Sequence, residues 1–157
     1  MVTTLDGVDR ELVFDFFWKF SLLERSLKKE GFLRAGRDQA AGVDWSKFGK
    51  KVSRRFQQVP TAGFHEAVEL LKRLSPKRQI VNDNQELDWE LIERRSDNTD
   101  EEFVLKLLRT VRNNLFHGGK YPAGLMEELA RDQEIMRAAS TVLDGILSLV
   151  PSQDLVD

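Results

Sequence analysis

The chain has 157 residues, 41% of them apolar and 32% charged, and contains no cysteine. That length suffices for one domain with its own core, and the missing thiols exclude disulfides, thiolate metal sites and a cysteine nucleophile. With 24 basic and 26 acidic side chains, net charge −2, any nucleic-acid site must come from a local cluster rather than the overall field.

Residues 1–9 lack the basic start and apolar run of a signal peptide, and no segment approaches the roughly 18 consecutive apolar residues of a membrane span. A cytoplasmic, membrane-free protein is the expectation. From Val8 to about Glu30, Leu12, Phe16, Phe20, Leu23 and Leu27 recur at spacings of three and four, one face of a helix. Phe14, Trp18 and Leu22 form a second stripe. A helix apolar on two sides is buried on both, so this stripe meets either another helix of the chain or a partner subunit.

Gly31 to Gly42 breaks the helix. Asp44 is a candidate N-cap for an amphipathic run to Val59, with Trp45, Phe48, Val52, Phe56 and Val59 on one face. Lys47, Lys50, Lys51 and Arg54 lie opposite. They read first as a solvated helix face and second as a guide for an RNA backbone. Pro60 ends this run, and a short helix is predicted from Phe64 to Ser75. The polar stretch 76–98 contains the turn-rich Asn82-Asp83-Asn84; a short helix around Asp88 to Arg94, anchored by Trp89, is expected within it.

Thr99-Asp100-Glu101-Glu102 fits a capping box. The helix behind it presents Phe103, Val104, Leu107, Leu108, Val111 and Leu115 to the core and ends at Gly118-Gly119. A long final helix carries Leu125, Leu129, Met136, Leu143, Ile146, Leu147 and Val150, with Pro151 after it. No repeat or domain boundary is visible. The expectation is a single all-α domain over residues 1–157, a bundle of four to five helices.

One string reads as chemistry: Arg112-Asn113-Asn114-Leu115-Phe116-His117-Gly118-Gly119-Lys120. Asn113 and His117 are four apart, so they stack on one side of the helix, away from its core face. Phe116 projects outward on the side shared with Arg109. Cations near a helix C-terminus are ordinary, and residue frequencies would produce such a string by chance in roughly 2% of chains this long. Its place on the penultimate long helix, before Gly-Gly and another long helix, narrows it.

At that place the string resembles the Arg–polar–x–x–x–His motif of the HEPN superfamily, helical bundles that are often metal-independent ribonucleases. Small stand-alone HEPN proteins carry a nearly identical string. The resemblance implies catalytic Arg112 and His117, with Asn113 positioning them, and a composite cleft formed across a two-fold homodimer. Phe116 and the stripe Phe14, Trp18, Leu22 are the matching interface candidates. It also implies an RNA substrate, no cofactor, a toxin or phage-defence role, and an antitoxin or nucleotidyltransferase-type partner. An acidic residue of the first helix, here Glu24, is a candidate partner for Arg112. One departure concerns the tyrosine that some HEPN toxins carry two residues after the histidine, where AMP is attached: Gly119 stands there, and Tyr121 is the only tyrosine.

His65 stands alone before Glu66 and reads as a surface or cap residue; no metal-ligand spacing occurs. The competing functional expectation is a non-catalytic HEPN module binding RNA, nucleotide or protein. A purely structural dimer is a third.

Overall fold

The computed structural model describes residues 4–5, 8–116 and 126–151. Among them are five α-helices, as expected, but the chain is not purely α: three two-stranded antiparallel sheets accompany the helices. The first pairs β1 (Thr4–Leu5) with β2 (Val8–Asp9). Helix α1 (Arg10–Lys29) follows at once, capped by Asp9, whose carboxylate accepts the backbone N–H of Glu11 at 2.8 Å.

The glycine-rich break after α1 is a hairpin of β3 (Leu33–Ala35) and β4 (Ala41–Val43). Asp44 then caps α2 (Trp45–Lys51), accepting the Lys47 N–H at 3.0 Å. The helix expected to reach Val59 stops eight residues sooner. Arg54 takes a left-handed φ of 65°, and its N–H donates to the buried Glu101 carboxylate at 2.7 Å. That contact outweighs the local preference for more helix. Phe48, Val52, Phe56 and Val59 are all buried nonetheless, which is why their spacing mimics one continuous helix.

After a 3-10 turn (Phe56–Gln58) comes α3 (Phe64–Leu74). Residues 76–98 hold no helix. They form a hairpin of β5 (Arg78–Val81) and β6 (Leu87–Glu90), with Gln79 opposite Trp89. Asn82 makes the turn: its side-chain oxygen accepts the N–H groups of Asn84 at 2.9 Å and Glu86 at 3.0 Å. Ile92, just after β6, is buried, and Trp89, the expected anchor, is half-exposed.

Helix α4 (Asp100–Phe116) begins with the reciprocal bonds of a capping box, Thr99 N–H to Glu102 at 2.9 Å and Glu102 N–H to Thr99 at 3.2 Å. Helix α5 (Met126–Leu147) packs against α1 and α3, while α4 packs against α2 and α3. One cluster of buried side chains draws on all five helices, with Phe16, Phe64, Leu107, Leu143 and Ile146 fully enclosed. No helix among the described residues is long and apolar enough to cross a membrane.

Candidate functional site

Helix α4 starts at the Thr99 cap, and burial of its apolar face sets its rotation. Phe103, Val104, Leu107, Leu108 and Val111 go to the core, as expected. Arg109, Arg112 and Asn113 share a different face by the three- and four-residue spacing of a helix. Asn113 is exposed and Arg112 half-buried.

The Arg112 guanidinium is held on three sides. Its Nη1 forms an ion pair with Glu24 Oε1 of α1. Its Nε and Nη2 donate to Asn113 Oδ1 at 3.1 and 2.9 Å. Its Cζ stands 5.0 Å from the ring centroid of Phe20. Phe20 and Glu24 are one turn apart on α1, so a single helix supplies both the ring and the carboxylate. Guanidinium has five N–H donors; among the described residues, Glu24 and Asn113 take three of them. Beside it lies a cleft of about 150 Å³ lined by Phe17, Phe20, Ser21, Glu24 and Arg112.

His117 lies outside the described residues, as does the side chain of Phe116. Asn114 has a structural job that the sequence did not announce. Its Nδ2 donates to the Lys77 carbonyl at 2.8 Å, tying the end of α4 to the start of β5.

The second stripe of α1 is uncovered. Phe14 is 67% and Trp18 57% exposed, their rings stacked at 6.4 Å, and Leu22 is partly buried. Phe17, between them on the helix, leads directly into the Arg112 cleft. The basic stripe is placed differently. Lys47 and Lys51 lie over the Phe32 ring at 5.7 and 5.2 Å, Lys50 is exposed, and Arg54 sits beyond the end of α2. None of the four lines the cleft.

Arg109 is the residue that sequence reasoning passed over. Its Cζ stands 5.6 Å from the Trp45 ring, and Trp45 in turn packs on Phe20 at 5.6 Å. Burial lowers its pKa, the charges of Arg112 and Arg34 lower it further, and Glu24 opposes them. The only sequence signal was its one-turn spacing from Arg112.

Two other polar clusters are structural. Ser140 Oγ lies 3.0 Å from Lys19 Nζ and donates to Asp15 at 2.6 Å. Burial would lower the Lys19 pKa, but hydrogen bonds and charge from Asp15 and Asp144 raise it above its ordinary value. The amine stays an ammonium and cannot activate the serine. A larger hollow of about 380 Å³ is lined by His65, Glu69, Asp100 and Glu101, among others. Asp100 is paired there with Lys72 and Arg94, and Glu101 with the Arg54 N–H. His65 is exposed and packs edge-on to Phe64 at 5.4 Å. Among the described residues, no three His, Cys, Asp or Glu side chains gather as metal ligands.

No protein-family model, curated protein or solved structure matches the chain.

Proposed function

We propose that the chain is a homodimeric endoribonuclease with a HEPN-like helical bundle, cutting RNA without a metal at a cleft completed by a second copy. The observation that carries this reading is the fixed guanidinium of Arg112, braced by Glu24 and Asn113, at the end of an exposed aromatic run on α1.

RNA supplies its own nucleophile, the 2′-hydroxyl, so the protein needs only a proton shuttle and a charge stabiliser. His117 takes the first role, since imidazole titrates near neutral pH. Arg112 takes the second, its planar fork matching the oxygens of the crowded phosphorane. Asn113 keeps that fork in plane through its Oδ1. The 2′-oxygen bonds to phosphorus, the 5′-oxygen leaves and is protonated, and the products are a 2′,3′-cyclic phosphate and a 5′-hydroxyl. Two copies of His117 supply base and acid. Phe14, Trp18, Leu22 and Phe116 form the subunit contact that brings them together.

By analogy with the family it resembles, the role is that of a toxin or phage-defence component, with an antitoxin or nucleotidyltransferase-type partner. The Glu24 carboxylate also supports a second reading, a non-catalytic module binding RNA, nucleotide or protein, because it offsets part of the charge that Arg112 would lend to a phosphorane. Induced expression separates the two. Growth arrest by the unsubstituted chain, relieved by His117→Ala, supports the nuclease; equal arrest by both proteins rules it out.

A further inference from the structure

We propose that Arg109 forms a second phosphate subsite beside Arg112, holding the RNA backbone phosphate next to the one that is cut. The identity of the ligand rests on the ribonuclease reading above; the subsite itself rests on geometry.

Two guanidiniums are coupled through two touching rings. Arg109 lies on Trp45 at 5.6 Å, Trp45 on Phe20 at 5.6 Å with 40° between planes, and Phe20 under Arg112 at 5.0 Å. Three segments distant in sequence, α1, α2 and α4, thus fix the two cations on one surface. One turn of α4 separates them, about 5–6 Å between Cβ atoms, a distance that one nucleotide spans.

Among the described residues, the charges here do not balance. Arg34 and Arg112 both act on Arg109, and Glu24, the carboxylate that acts on it, is already paired with Arg112. Arg109 Nε is buried with no hydrogen-bond partner among the described residues. Stacking on Trp45, rather than an acceptor at Nε, therefore holds this side chain. Arginine does not escape crowding by deprotonating, so the cluster keeps its excess positive charge and an anion stabilises it. A planar fork on an indole face also suits a ribose-phosphate backbone better than a lysine would. Among the described residues, the Lys47, Lys50, Lys51 face has no comparable fixing of its ammonium groups beyond Phe32.

The experiment measures binding of a fluorescein-labelled 2′-O-methyl oligoribonucleotide, which cannot be cut, across a salt series. Arg109→Gln should weaken binding and reduce the slope of log K against log salt by about 0.7, one single-strand phosphate contact. Lys19→Met, a cation outside the cluster, should leave the slope unchanged. If Arg109→Gln fails to fold by circular dichroism, Arg109→Met, which keeps an apolar stem on Trp45, takes its place with the same expected slope. Slopes equal to that of the unsubstituted protein, or no binding by that protein, overturn the subsite. Failure of the ribonuclease reading looks different: unmodified RNA remains uncut while the slope change persists.

Discussion

Arg112 and Glu24, 88 positions apart in the chain, form an ion pair whose side chains are only 25% and 24% exposed. The pair ties the C-terminal half of α4 to the C-terminal half of α1 and holds the guanidinium over Phe20. Removing one partner leaves a half-buried charge without its acceptor. Glu24→Gln should therefore cost about 1–2 kcal/mol in urea unfolding and lower RNA cleavage about ten-fold or more. Unchanged stability together with unchanged cleavage would show that the pair neither braces the helices nor orients the site.

Phe14 and Trp18 bear on subunit association. Large aromatics 67% and 57% exposed on one helix face are expected to be covered by another copy. Sedimentation equilibrium should give a dimer, and Phe14→Glu combined with Trp18→Glu should give a monomer with its melting temperature essentially retained. A monomeric unsubstituted protein at tens of micromolar contradicts the shared cleft.

Asp15 and Lys19 make a pH prediction. Burial alone would raise the Asp15 pKa, but hydrogen bonds from Lys19 and Ser140 and the Lys19 charge lower it below its ordinary value; the Lys19 pKa is raised. A depressed carboxylate contributes stability above its unfolded pKa, about 3.9, and loses it as pH falls through the folded value. A raised amine contributes below about 10.4 and loses it as pH rises through its folded value. The stability difference between the unsubstituted protein and Lys19→Met should hence be flat from about pH 5 to 10 and shrink on both sides. A difference that varies through neutral pH would contradict this pairing.

Gly145 tests the packing of α5. A Cβ there would lie 2.2 Å from Phe64 Cδ2 and 2.9 Å from Val59 Cγ1, and Phe64 is fully buried with no room to swing. Gly145→Ala should destabilise by about 2–3 kcal/mol through overpacking, despite the better helix propensity of alanine. Thermal unfolding checks the sign; a stabilised variant would mean that α5 and α3 sit further apart.

Much of this fold is legible in the residues, where the forces are local. Thr99 and Glu102 announce their capping box, and the core faces of α1 and α4 follow from spacing alone. Long-range contacts are what spacing misses. Phe56 and Val59 continue the rhythm of α2, yet the buried Glu101 draws the Arg54 N–H out of helical conformation. Asn82 closes a hairpin whose apolar residues are too exposed to show an alternating pattern, Val81 at 62% and Leu87 at 70%. At the candidate site, Arg112 donates to its neighbour Asn113, and Glu24 of α1 pairs with Arg112. His117 falls outside the described residues. Arg109 stayed hidden because its partner, Trp45, lies on another helix and reads in sequence as plain core.

The most direct measurement is cleavage of single-stranded RNA in excess chelator by the unsubstituted protein, Arg112→Ala and His117→Ala, with product ends identified. A ribonuclease of the proposed kind yields 2′,3′-cyclic phosphate and 5′-hydroxyl ends, and either substitution slows it by about a hundred-fold or more. Equal cleavage by all three proteins, or none by the unsubstituted chain, contradicts it.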